Sequence, residues 1–511
     1  VIRVAQSIAA AALAALAAAC LALMYLKQGI TAALFFNSDA SYLAALYYDL
    51  FERGGRLSAW FLTPAPYFFP DWPLYFGLRW LSGGVYPALA GVMAMQALLL
   101  WGLSALLLRR FTSTANALAA AALGTVLICL PAVQGIFPYT YVMLASYHFG
   151  AMLALLAGAA LLLPLLERPA TRGQLAAVLA LTTLMVLSDR LYVLQFVLPA
   201  LALLVLMRAR LSNWRPLALV LLAGCVAGVL LYKSKLLVAN GVSLPWHLAP
   251  RQAGANLRAL ADIGAVLWQH YPLLALYSMA YYALLALLAP GTLLNRGWRL
   301  RDGRAAWVCM LNLASSAGLL LAMIVSNGAP TDRYLIPAFL LPVLLGPALA
   351  WSLAAQWRGE QVRHHGGLTL LLGGALLAWP LCQAVGRAGP VQHEYYPAEI
   401  ACADRVFAQY DLRHGYAGYW DAAWVAMASQ RKPVIALAAI DLREHHWITT
   451  AGNYQPRYDF ALVTTDPADD SRPQATVVIA RNGAPQAAVQ CGPLHILVYP
   501  RDALQPLAPL K

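Results

Sequence analysis

Long apolar runs separated by short polar gaps occupy the first three quarters of this 511-residue chain. A helix needs about 20 mostly apolar residues to cross the hydrocarbon core of a bilayer. Eleven runs approach that length, near 6–27, 85–108, 113–131, 148–166, 173–188, 191–207, 216–232, 266–290, 306–326, 335–355 and 367–386. The pattern predicts a mainly α, polytopic membrane bundle of about 11 spans over residues 1–386. A small soluble α/β domain is expected over 387–511, because Asp, Glu, His and Arg become common there. Strand-like runs appear there at Phe460–Thr464, Thr476–Ala480 and Leu494–Tyr499.

Basic residues fall in every second gap: Arg109 and Arg110; Arg168 and Arg172; Arg208, Arg210 and Arg215; Arg296, Arg299, Arg301 and Arg304; Arg358 and Arg363. Short Lys/Arg-rich gaps stay on the cytoplasmic side of a membrane. That rule predicts a cytoplasmic N-terminus and an extracytoplasmic C-terminal domain, the arrangement of a bacterial inner-membrane protein with its working face to the periplasm. The first run opens with Arg3 and passes through Ala-rich sequence to Cys20, as a secretory leader would. Removing it spoils the charge alternation, so it is read as a span.

Composition agrees, with 61% hydrophobic and 11% charged residues, which excludes an ordinary soluble enzyme. The net charge of +13 resides largely at helix ends, where headgroups and insertion bias account for it, so no nucleic-acid partner is expected. Of seven cysteines, five lie in apolar runs. Cys402 and Cys491 share the outer domain, where an oxidising compartment would allow a disulfide. No metal-ligand spacing is present.

The outer gaps carry the candidate chemistry. The first, 28–84, combines a predicted interfacial helix over Ala40–Phe51 with many aromatic rings, the side chains that favour headgroup depth. Ionisable groups near a bilayer cost several kcal/mol unless paired or used. Asp39, Asp71, His148, Asp189, Arg190, Lys233, Lys235, Asp332 and Arg333 all sit at outer ends of runs. Together they predict one polar cavity. Arg333, Arg190, Lys233 and Lys235 suit a phosphate, and Asp39 is placed for a base. Each has an ordinary alternative: Asp39 as a helix cap, Asp71 as a turn residue, the cations as interface anchors, His148 as a helix-start residue.

Two motifs resemble the GT-C class of polyprenyl-phosphate-sugar-dependent glycosyltransferases, as in protein O-mannosyltransferases and lipid A aminoarabinose transferases. One is Asn37-Ser38-Asp39-Ala40 at the start of a long outer loop, the class's usual place for its catalytic carboxylate. The other is Asp332-Arg333-Tyr334-Leu335-Ile336-Pro337, similar to its Arg-Tyr-x-x-Pro element. The outer C-terminal domain, with Gly418-Tyr419-Trp420-Asp421 and His446-Trp447, resembles bacterial membrane proteins near these transferases. The acidic pair of close relatives is absent.

The resemblance implies Asp39 as base and Arg333 and Tyr334 on the donor phosphate; the charged outer ends add Arg190, Lys233 and Lys235 to the phosphate set and Asp71, His148 and Asp189 to the pocket. It implies a polyprenyl-phosphate sugar as donor and a glycan, lipid or protein acceptor, within membrane lipid. No cofactor is demanded, and a divalent cation is compatible. A transporter or flippase of a lipid-linked saccharide, a polysaccharide polymerase or ligase, and an inactive relative remain as alternatives.

Overall fold

The computed structural model describes residues 2–242, 246–358, 366–387 and 390–509. Arg363, assigned above to the last basic gap, lies outside them.

The chain opens with α1 (Ile2–Leu26). Its first long loop holds α2 (Tyr42–Tyr47), continued as a π-helical turn to Glu52, then β1 (Trp60–Leu62) and α3 (Asp71–Ser82). Helices α4 (Val85–Leu108), α5 (Thr114–Ala132), α6 (Phe149–Leu162), α7 (Arg172–Ser188), α8 (Leu198–Leu206) and α9 (Trp214–Lys233) follow. A short strand β2 (Asn240–Gly241) then leads to α10 (Ala253–His270), α11 (Pro272–Leu294), α12 (Gly303–Val325), α13 (Ile336–Arg358) and α14 (Gly366–Gly386).

All eleven apolar runs are helical, but among the described residues eight helices are long and apolar enough to cross a membrane: α1, α4, α5, α9, α11, α12, α13 with the turn before it, and α14. The apolar helices at Phe149–Leu165, Arg172–Ser188 and Val193–Leu206 have at most 17 residues. At about 1.5 Å per residue they reach about 25 Å, short of a hydrocarbon core of about 30 Å. The chain is thus a membrane protein by its helices, with three elements that fall below full span length. Helix α10 was not foreseen. It occupies the second half of the stretch between the apolar runs at 216–232 and 266–290 and continues into the latter, exposes most of its surface, and is separated from α11 at Pro272, where proline removes a backbone donor.

Small residues let the helices approach. Ala10, Ala14, Ala17 and Ala18 of α1 are buried in the group formed with α4, α5 and α14. In α9, Gly224 and Gly228 face α7 so closely that an added Cβ would lie 2.8 Å from Thr182 and 2.7 Å from Val186. This small-xxx-small spacing suits helix contact in lipid, where close packing rather than hydrophobicity holds helices together. The basic gaps meet at one end of the bundle. Arg304 pairs with Glu167 at 2.7 Å, and Arg110 lies within electrostatic range of Arg168 and Arg304.

The opposite end carries the C-terminal domain: α15 (Ala398–Gln409), β3 (His414–Ala417), α16 (Tyr419–Ala428), β4 (Val434–Leu437), β5 (Thr449–Thr450), β6 (Phe460–Val463), α17 (Ala475–Asn482), β7 (Ala487–Cys491) and β8 (Leu494–Val498). Its five-stranded sheet has the order β4-β3-β6-β8-β7. Strands β4, β3 and β6 run parallel, whereas β8 is antiparallel to both β6 and β7. The run at 476–480, expected as a strand, is instead helix α17. Ala475 and Val478 bury one side of it, and Gly483 at φ +84° ends it; i, i+3 burial against the sheet overrides the local β-branched preference. Cys402 and Cys491 are disulfide-linked, joining α15 to the end of β7.

A second, three-stranded sheet fastens this domain to the bundle. Strand β1 of the first loop pairs parallel with β2 and antiparallel with β5 of the C-terminal domain. Beside it the Phe61 ring stacks on His446, with centroids 3.9 Å apart. Backbone pairing across three remote segments fixes the domain over the first loop.

Candidate active site between the bundle and the C-terminal domain

Beneath that fastening lies a cavity of about 260 Å³, lined on one side by Asp39, Tyr42, Tyr67, Ser146, His148, Arg333 and Tyr334, and on the other by Tyr419, Trp420, Trp447 and Ile448. Asp39 precedes α2 but does not cap it. Ser41 is the N-cap residue, and no side chain caps the helix. One Asp39 oxygen instead accepts from the Tyr419 hydroxyl, and the other accepts from Arg333 Nη1 at 3.3 Å across 294 residues of sequence. The turn that presents Asp39 is held by Asn37, whose Oδ1 accepts from Ala40 N and from the Tyr147 hydroxyl, each at 3.0 Å. Ser38 donates to the carbonyl of Tyr419, so two successive residues of the first loop grip the start of α16.

Arg333 stands on the turn leading into α13. Its neighbour Asp332 faces away from the cavity and accepts from the Tyr141 hydroxyl at 2.7 Å. The Arg333 Nε is buried with no hydrogen-bond partner, and so is the Ser146 hydroxyl in the same cavity wall. An unsatisfied buried donor costs about 1–3 kcal/mol. Two such groups stand in the wall of this cavity.

His148 links this cavity to a second. Its Nδ1 is 2.7 Å from Asp189 Oδ2, and its Nε2 is 3.2 Å from the Tyr67 hydroxyl. The carboxylate is itself fixed by Leu191 N at 3.0 Å. With Nδ1–H donated to Asp189, Nε2 accepts from Tyr67. Tyr67, Ser146 and His148 all hold left-handed backbone, at φ 60°, 64° and 66°. That region costs L-residues about 1–2 kcal/mol apiece. Three such residues around one cavity fit the tendency of strain to collect at functional sites.

The second cavity, about 450 Å³, shares Pro64, Ala65, His148 and Tyr334 with the first. It extends past Asp189 and Arg190 to Leu191, Leu194, Trp246, Leu319 and Met323. Arg190 donates Nε to the Pro64 carbonyl at 3.1 Å and lies 4.3 Å from the centre of the Tyr232 ring. The pair of cavities therefore grades from carboxylate and guanidinium to aliphatic side chains.

Asp39, His148, Asp189, Arg190, Arg333 and Tyr334 are thus brought together. Asp71 is not among the lining residues. It is buried behind the wall, where Oδ1 accepts from Ser146 N at 3.0 Å. Burial pushes its carboxyl up to about 6, against the opposing effect of the Ser146 N–H. Lys233 and Lys235, expected in the phosphate set, are exposed and line neither cavity. Tyr419, Trp420 and Trp447 were not assigned to the site from sequence, although Gly418-Tyr419-Trp420 carried a signal. Among the described residues, no group of three or more His, Cys, Asp or Glu side chains is placed to hold a metal ion.

Fold and site together describe a helical membrane protein with a paired polar and apolar cavity under an α/β cap. No family model matches the chain, and no curated protein does.

Proposed function

We propose that the protein is a glycosyltransferase that moves a sugar from a polyprenyl-phosphate carrier to an acceptor hydroxyl at the face bearing the C-terminal domain. The observation that carries the reading is the Asp39–Arg333 pair in a cavity that adjoins a second, apolar-lined one. A carboxylate, a guanidinium with an unused N–H, and an exit toward lipid are the three requirements of this chemistry.

In the reaction, Asp39 takes the proton of the acceptor hydroxyl as its oxygen attacks the anomeric carbon. The bond from that carbon to the phosphate oxygen breaks, and polyprenyl phosphate leaves with the electron pair. The leaving phosphate is a weak base and needs no acid, in contrast to the two-carboxylate arrangement of glycosidases. Arg333, drawn from Asp39 toward the phosphate, and Arg190 on the lipid side offset the growing charge. The Tyr419 hydroxyl keeps Asp39 oriented. On this reading the basic gaps face the cytoplasm and the cap faces the periplasm of a bacterium, where the Cys402–Cys491 bond is stable. A transporter or flippase would need access from both ends of the bundle, whereas the two cavities around His148 lie at the capped end.

The test uses purified protein with labelled polyprenyl-phosphate sugars and extracted glycolipid, polysaccharide or protein acceptors. Asp39→Asn should lower turnover by about 100-fold or more, the typical contribution of a general base. Arg333→Gln should do likewise. Full turnover in Asp39→Asn would remove the assigned base and with it this mechanism.

A further inference from the structure

A separate pair of cavities lies on the flank formed by α1, α5 and α14. The first, about 260 Å³, is at the capped end and is lined by Gly29, Thr31, Gln134, Trp379, Gln383 and Arg387, among others. The second, about 680 Å³, is lined chiefly by aliphatic and aromatic side chains of α5, α11, α13 and α14, including Leu123, Leu127, Leu274, Val343 and Leu376. Neither shares a residue with the proposed active site.

Helical spacing joins the two. On α5, Ala120, Leu123, Gly124, Leu127 and Leu130 line the apolar cavity, and Val133 and Gln134, just past its end, line the polar one. On α14, Leu376 of the apolar cavity is followed three, four and seven residues on by Trp379, Pro380 and Gln383 of the polar one, and Arg387 follows just past the helix end. Each set is one face of a helix, so one groove runs from a polar mouth into an apolar trough. From Leu130 to Ala120 the trough descends ten residues, about 15 Å at 1.5 Å each, which is about half the hydrocarbon thickness. On α14 it continues to Thr369, fourteen residues from Gln383 of the mouth and about 21 Å at the same rise, deep enough to hold the acyl chains of one lipid.

The mouth is cationic and uncompensated. Among the described residues, Arg387 of the mouth donates to the Gly29 carbonyl at 3.4 Å, and Lys27, beside the mouth but not in its lining, donates to the carbonyls of Val385 and Arg387, both at 3.1 Å. Neither pairs with a carboxylate among the described residues. Thr31, Gln134 and Gln383 add neutral donors. A headgroup bearing one negative charge, on acyl chains no longer than a leaflet, satisfies both ends at once.

We infer that this groove is a binding site for one anionic phospholipid of the leaflet on the capped side, distinct from the sugar-carrier site. The inference stands whether or not the protein transfers sugar.

The full chain is reconstituted in nanodiscs of equal phosphatidylglycerol and phosphatidylcholine, and retained lipid is read by native mass spectrometry. Wild type should keep one phosphatidylglycerol in at least tenfold preference to phosphatidylcholine. Lys27→Gln with Arg387→Gln should lower that preference about tenfold, as should Gln383→Glu, which puts a carboxylate in the mouth at unchanged size. Gln383→Asn, as the control for folding, should keep it. Leu127→Trp, which fills the trough, should release the lipid. Equal retention of both lipids by wild type, an unchanged preference in both charge variants, or displacement by an equal mole fraction of polyprenyl phosphate would overturn the assignment.

Discussion

Asp71→Asn tests whether the wall behind the proposed active site is built as described. The Asp71 carboxyl is buried, and burial raises it from 3.8 to about 6. A carboxyl raised in the folded protein stabilises the fold below 3.8, where it is protonated in both states. That contribution is lost as pH rises through about 6, because the folded protein must then bury a charge. The interval between 3.8 and about 6 is worth about 3 kcal/mol at about 1.4 kcal/mol per pH unit. Asparagine retains an oxygen for Ser146 N and cannot ionise. Unfolding of both proteins in detergent, followed by tryptophan fluorescence at fixed scan rate from pH 4 to 8, isolates the effect, since other titrating groups cancel in the difference. Whatever the difference at pH 4, it should move in favour of the variant by up to about 3 kcal/mol by pH 7.5. A flat difference would refute a buried, raised carboxyl at this position.

Three further outcomes are expected. Gly150→Ala puts a Cβ 2.4 Å from Asp71 Oδ2 and 2.6 Å from Pro70, and should destabilise by about 1–3 kcal/mol through overpacking, seen as a lower unfolding midpoint. Tyr419→Phe removes the hydroxyl that donates to Asp39; the protein should fold with its cap docked, while turnover in the sugar-transfer assay falls about tenfold or more, near the value of one charged hydrogen bond. Replacing Cys402 and Cys491 by Ser opens a link across 89 residues and should cost the cap about 2–5 kcal/mol, measured as an earlier denaturant transition with that of the bundle unchanged.

The apolar runs were legible because lipid imposes a local rule: backbone polar groups must be satisfied within the segment, so an unbroken apolar helix announces itself. The fate of 476–480 was not, since Val477 and Val478 suit a strand in isolation and became helical only against the sheet. Asp39 and Arg333 were legible as charged groups at helix ends that had to find partners. Lys233 and Lys235 met the same criterion yet line neither cavity, because position at a helix end gives depth but not the direction the side chain faces.

The sequence by itself determined that this is a membrane protein, where its long apolar helices lie, and which of their ends gather carboxylates and cations. Tertiary structure alone decided that Asp39, His148 and Arg333 meet in one cavity, that Tyr419 of the cap closes it, and that Asp71 serves behind its wall. The reason is physical: burial in a bilayer is enforced residue by residue along the chain. The meeting of groups 294 residues apart depends on helix rotation and on a three-stranded sheet assembled from remote segments.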